Sequence, residues 1–194
     1  MNIAAFFSYI FLAAFTPGPN NMMAMSNAAR GGFRRGAVFC IGVMLGCLLC
    51  MSLCGVFTAT LSQSIPRIMP VMKWVGAGYI LFLAVSVFWD KEHKGGPLRH
   101  FKPDSILTGV LMQFLNIKGI LYGVTAFSVF ILPHSRSLPL LALVVVILSL
   151  MAFFGTLCWA AFGAFFQRFF EKHKRLMNGI IALLLVGCAV MSVL

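Results

Sequence analysis

Acidic residues are nearly absent: the 194-residue chain has four, Asp90, Glu92, Asp104 and Glu171, against fifteen lysines and arginines. Charge of either sign is scarce, at 10% of residues, while 61% are hydrophobic. That balance excludes an ordinary soluble domain and fits a polytopic membrane protein. The four carboxylates lie in or beside the stretches between apolar runs. None is available inside a run to carry a proton or hold sodium. No GxxxxGK[ST] phosphate loop is present, which argues against ATP hydrolysis by this chain. The four histidines show no metal-ligand spacing. All six cysteines (Cys40, Cys47, Cys50, Cys54, Cys158, Cys188) sit within apolar runs and do not form a secreted disulfide framework. They read as small packing residues. Cys47, Cys50 and Cys54 share one helix face, which keeps thiol-redox or soft-metal chemistry as an alternative. Neither an enzyme nor a cofactor is expected. The net charge of +11 would suggest nucleic acid in a soluble protein. Here the basic residues fall between apolar runs, so membrane topology accounts for them and no nucleic-acid partner is expected.

What is present is an uncharged run from Met1 to Ala29, longer than the ~20 residues a bilayer requires. At its midpoint stands Thr16-Pro17-Gly18-Pro19-Asn20-Asn21. Proline removes a backbone donor and clashes with the preceding turn, so Pro17 and Pro19 cannot both lie inside one unbroken helix. The helix is expected to break there, with Pro17, Gly18 and Pro19 as the hinge. Backbone groups freed at membrane depth must be satisfied by protein or by a water-filled cavity. Broken helices of this kind build substrate sites in many secondary transporters. The run lacks a basic n-region and continues past the break, so it reads as retained rather than cleaved.

Six α-helical spans are expected, at about 4–28, 37–62, 68–89, 105–132, 138–165 and 176 to the end. The whole chain, 1–194, forms one transmembrane domain with halves of about 1–89 and 105–194. Arg30, Arg34, Arg35, Lys91, Lys94, Arg99, Lys102, Arg168, Lys172, Lys174 and Arg175 put eleven positive charges on one side, against Arg67, Lys73 and Arg136 on the other. The positive-inside rule places the eleven in the cytoplasm and both termini outside, in the periplasm of a bacterial inner membrane. Three spans per half then give an all-α inverted 3+3 repeat. Spans one and four carry matching interruptions near the bilayer midplane, the second being Gln113-Phe114-Leu115-Asn116-Ile117-Lys118-Gly119. The spacings Gly42/Gly46 and Gly119/Gly123 permit close helix contact. Gly76 and Gly78 in span three have a looser counterpart in Gly179.

Lys118 is the one Lys, Arg, Asp, Glu or His deep within a span. Burying it costs at least ~2.5–3.5 kcal/mol. Two arrangements offset that: tethering to backbone carbonyls freed by a helix break (or snorkelling), or facing a cavity and pairing with a substrate carboxylate. A cation plus the positive end of a half-helix favours an anionic group on the ligand. Asn20, Asn21, Gln113 and Asn116 add neutral donors and acceptors, so a small zwitterion such as an amino acid suits the set. The asparagines can equally cap the half-helices. Trp74, Tyr79, Tyr122 and Trp159 are by type interfacial or packing residues; Tyr122 joins the candidate binding set. A proton is the candidate coupling ion, with Lys118 itself a candidate carrier. Oligomeric state is open, a homodimer included.

The first motif, followed by Gly32-Phe33-Arg34 and Gly42-Val43-Met44-Leu45-Gly46, resembles the lysine-exporter (LysE/RhtB) family of amino-acid exporters across essentially the whole chain. That family usually has Asn-Pro-Lys in span four; here it reads Asn116-Ile117-Lys118. The stretches Gln113–Ala126 and Cys158-Trp159-Ala160 look closest to the branch that exports cysteine and O-acetylserine. The resemblance implies efflux of these compounds from the cytoplasm, driven by an ion gradient. Homoserine, threonine or leucine export remains open within the family. A distantly related branch implies a membrane thiol-disulfide carrier with its reactive pair on spans one and four, where this chain has no cysteine. Metal handling through span two is the remaining alternative.

Overall fold

The break expected in the first run is present. In the computed structural model, which describes residues 3–60, 103–166, 169 and 172–193 together with Trp74, Gly78, Leu81, Ala84, Val85 and Phe88, α1 (Ile3–Phe15) ends before Thr16 and α2 (Pro19–Gly31) begins after Gly18. Proline suits the first turn of α2, where its missing N–H would have no intrahelical partner. Every residue of α2 from Pro19 to Ala29 is buried, so this half-helix runs through the core. It stops at Gly32, whose φ of 80° is left-handed and favours glycine.

Helix α3 (Phe33–Thr60) follows, then α4 (Ile106–Leu115), started by Ser105, whose hydroxyl accepts from the Thr108 N–H at 3.1 Å. After Asn116 comes α5 (Ile117–Thr125), which runs on into a π-helical turn, Ala126–Ile131. The two segments on either side of Asn116 are bent by 64°. Helices α6 (Leu138–Phe165) and α7 (Lys174–Val193) complete seven α-helices among the described residues, which contain no strand. Within α3, Phe33–Thr58 is long and apolar enough to cross a membrane, as is α6, and the bent α4–α5 pair makes a third if taken as one span. The expected third span, apart from the six residues named, lies outside the described residues. So do Lys73 of that span and the loop residues Arg67, Lys91, Lys94, Arg99, Lys102 and Arg168.

Glycines set the closest approaches. A Cβ on Gly46 of α3 would lie 2.9 Å from Val110 Cα, and one on Gly109 would lie 2.7 Å from Val43 N. The Gly42/Gly46 spacing thus seats α4. Gly123 is pressed against Met51 of α3, whereas Gly119 makes room for the Gln113 amide of its own span. Contacts advance together along the pairs Gly46–Val110, Met51–Gly123 and Gly55–Phe127, so α3 runs parallel to α4–α5. By the same test α6 runs parallel to α1–α2, with Gly155 against Ala14 and Gly163 against Met25. Three polar links gather the end of α2 and the starts of α3, α4 and α7 on one face: Asn27 Nδ2 to Pro103 O (2.8 Å), Arg30 Nη2 to Asn178 Oδ1 (3.1 Å) and the Arg35–Asp104 ion pair (3.6 Å).

The distribution of side chains is that of a protein in lipid. Leu49, Leu53, Val146, Phe154, Phe162 and Leu183 are exposed, while Asn20, Asn21, Asn27, Gln113 and Asn116 are buried. Polar residues inside and leucines outside invert the soluble pattern.

Candidate functional site

Breaking a helix leaves carbonyls at the end of its first half without partners. Around Thr16 each is accounted for. The Thr16 N–H donates to Leu12 O and the Thr16 hydroxyl to Ala13 O, at 3.0 and 3.2 Å. Asn21 Nδ2 donates to Ala14 O (3.0 Å) and Thr16 O (2.8 Å). Trp159 Nε1 reaches across from α6 to Phe15 O at 3.0 Å. Lys118 Nζ, from the opposite break, donates to Thr16 O and Thr16 Oγ1, both at 2.8 Å, and to Pro17 O at 3.3 Å. The ammonium is therefore tethered to freed carbonyls, one of the two arrangements expected for it, and three acceptors use its three donors. It also sits against the negative end of the α1 dipole.

Gly18 makes this reach possible. A Cβ there would stand 3.0 Å from Lys118 Cδ and 3.2 Å from Nζ. The backbone of Gly18 is extended (φ −163°, ψ 171°), so its role is to leave space rather than to adopt an unusual conformation.

The second break is built differently. No proline causes it; Asn116 adopts φ −83°, ψ 94°, ends α4 and caps α5 by accepting the Gly119 N–H at 3.3 Å. Its N–H bonds back to Gln113 O at 3.4 Å. The link between the breaks is returned from the other side, because Asn20 Nδ2 donates to Gln113 Oε1 at 2.8 Å. Each broken helix thus sends a side chain from just past its own break to the other.

Between the breaks lies a cavity of about 50 Å³ lined by Ala13, Ala14, Gly18, Asn20, Asn21, Val43, Gln113, Asn116, Lys118, Gly119, Tyr122, Ala152 and Thr156. All six polar candidates named from sequence, Asn20, Asn21, Gln113, Asn116, Lys118 and Tyr122, meet here. Of the hinge residues Gly18 lines the cavity, while Pro17 and Pro19 flank it. Tyr122 stacks on Tyr9 with ring centroids 6.0 Å apart, and its hydroxyl donates to Leu148 O at 3.3 Å. Its polar end is thereby committed to α6. Among these polar groups Asn20 Oδ1 is exceptional: it is buried with no hydrogen-bond partner.

Sequence reasoning missed Thr156, Ala152 and Val43 on the wall, and Thr16 and Trp159 as partners of the break. Thr16 could have been found within the motif itself. Thr156 lies in an uninterrupted apolar run with no local signal, and Trp159, named from its type as an interfacial or packing aromatic, was not assigned to the break. Cys47, Cys50 and Cys54 are buried in α3 and do not line the cavity. No group of metal-ligating side chains occurs among the described residues.

An apolar helical bundle with two helix breaks facing each other across a small cavity that holds four amides and a lysine has the character of a membrane protein. The profile of the LysE type translocators matches residues 11–194, and the chain belongs to that family. It is 40% identical over 188 residues to the cysteine/O-acetylserine efflux proteins of Escherichia coli K12 and Shigella sonnei, covering 97% of this chain and 95% of each relative. No solved structure gives a significant match. Family and relatives are transporters rather than enzymes.

Proposed function

We propose that the chain is a secondary exporter of small neutral amino acids, cysteine and O-acetylserine first among them, acting by alternating access from cytoplasm to periplasm. The observation that carries this reading is the partly open cavity where two helix breaks meet, small enough to select a compact ligand and holding amides and one cation on its wall. The printed function of relatives 40% identical to this chain supports the choice of substrate.

The order of elements supports a six-span inverted repeat with its broken spans at mid-membrane. A broken span (α1–α2) precedes an unbroken helix of 28 residues (α3), and a second broken span (α4–α5) precedes another of 28 residues (α6). A two-fold relation exchanges α1–α2 with α4–α5 and α3 with α6. Rocking of one half against the other would then pull on Asn20–Gln113 and Lys118–Thr16 together. A substrate carboxylate that pairs with Lys118 must displace the Thr16 and Pro17 carbonyls, which ties binding to the hinge. Lys118 and Tyr122 are the acid–base side chains on the wall, so a proton is the coupling ion this site can serve.

Uptake of radiolabelled cysteine and O-acetylserine into inverted membrane vesicles tests the proposal. Energised accumulation that collapses with an uncoupler is expected. Failure of well-folded protein to move either compound would contradict it.

A further inference from the structure

The hydrogen bonds of Asn116 leave one of its groups over. Its N–H donates to Gln113 O at 3.4 Å, and its carbonyl accepts from the Ile120 N–H at 3.0 Å. Its Oδ1 accepts from the Gly119 N–H at 3.3 Å, which fixes which end of the amide is nitrogen. That nitrogen, Nδ2, has no acceptor among the described residues. Asn116 is 6% exposed, yet Nδ2 is not sealed off as Asn20 Oδ1 is. The residue lies on the cavity wall, so the open space that Nδ2 meets is the cavity.

The surroundings suit a negative charge. Asn116 caps α5, a helix of nine residues. The first two N–H groups of that helix, on Ile117 and Lys118, have no intrahelical partner, and its dipole presents a positive end there. Gln113, its Oε1 held by Asn20, lays Nε2 over the same turn: a Cβ on Gly119 would stand 2.7 Å from it. The Cys50 thiol is the other hydrogen-bonding neighbour of the Gln113 amide, and sulfur is a weak acceptor. The one cation on the wall is already committed, since Lys118 directs its three donors to Thr16 and Pro17.

We infer that the substrate carboxylate docks first at the start of α5, against Asn116 Nδ2 and the Ile117 and Lys118 N–H groups, while the Lys118 ammonium stays on the helix break. The inference rests on the transport reading above and deepens it. Asn116 serves the ligand and Lys118 the hinge, and the ligand class is small molecules with a free carboxylate.

Equilibrium competition against radiolabelled cysteine on purified protein in detergent tests this, and reads variants that no longer transport. Cysteine and cysteinamide differ only at the carboxylate. Wild type should prefer cysteine by at least about tenfold, the scale of hydrogen bonds to a charged group. Aspartate and glycine both serve as N-caps, so Asn116→Asp and Asn116→Gly keep the start of α5. Asn116→Asp sets a carboxylate against the ligand's own and should reverse the preference; Asn116→Gly should narrow it. Lys118→Gln should retain it. No preference in wild type, an unchanged preference in folded Asn116→Asp, or a preference lost in folded Lys118→Gln would overturn the inference while leaving transport intact. The wild-type comparison decides even where a variant does not fold. Absence of both cysteine binding and cysteine transport in wild type would overturn both readings.

Discussion

Lys118 Nζ stands 2.8 Å from the backbone oxygen of Thr16, 102 residues earlier in the chain, and the helix break at Thr16–Gly18 is held from the other broken helix. A lysine within an apolar span needs a reason, and a broken helix needs donors. Here each supplies what the other lacks.

Removing the ammonium should therefore damage the hinge as well as transport. Lys118→Ala leaves Thr16 O with Asn21 alone and Pro17 O without its lysine donor, and is expected to lower stability by about 1–3 kcal/mol. Thermal unfolding of purified protein reads the first effect and vesicle transport the second. A variant with unchanged melting and unchanged transport would remove Lys118 from the account.

Gly18→Ala isolates the space under that lysine. Alanine tolerates the extended backbone of Gly18, so the consequence is steric: its Cβ would press on Lys118 Cδ at 3.0 Å. Transport should fall severalfold at near-normal expression, with a smaller loss of stability than Lys118→Ala. Wild-type rates in Gly18→Ala would show that the lysine does not need this path.

Gly109→Leu should be far more disruptive, because the α3 backbone occupies the place of the side chain, with Val43 N 2.7 Å from the added Cβ. Overpacking of this kind costs ~1–3 kcal/mol or more. Loss of monodisperse protein in size-exclusion chromatography is expected, and normal yield would contradict the α3–α4 packing.

The triple variant Cys47→Ala, Cys50→Ala, Cys54→Ala distinguishes packing from thiol chemistry. All three side chains are buried in α3 and none lines the cavity. Lower thermal stability with transport retained within about threefold is expected. Abolished transport in folded protein would favour a redox or metal role.

The two breaks show what a sequence makes legible. The first was readable because Pro17 and Pro19 remove donors and force the helix to stop, a local effect. The second has Ile117 where proline would give the same signal, and its 64° bend arises from Asn116 capping both neighbouring segments. A polar interruption marked its place but not its sharpness. The polar lining was legible because amides and a lysine are expensive inside apolar runs and so stand out. Their pairing was not, since Asn20 with Gln113 and Lys118 with Thr16 depend on how distant helices face each other. Gly155 and Gly163, which seat α1 and α2 on α6, and Trp159, which donates to Phe15 O, depend on the same long-range geometry.

The most direct test of the central claim is cysteine transport by proteoliposomes containing wild type, Lys118→Ala or the triple cysteine variant, with equal protein and an imposed proton gradient. Gradient-dependent transport in wild type and the cysteine variant, lost in folded Lys118→Ala, is the predicted result. Transport that survives in Lys118→Ala at the wild-type rate would contradict the claim that the site is built where the two helix breaks hold one another.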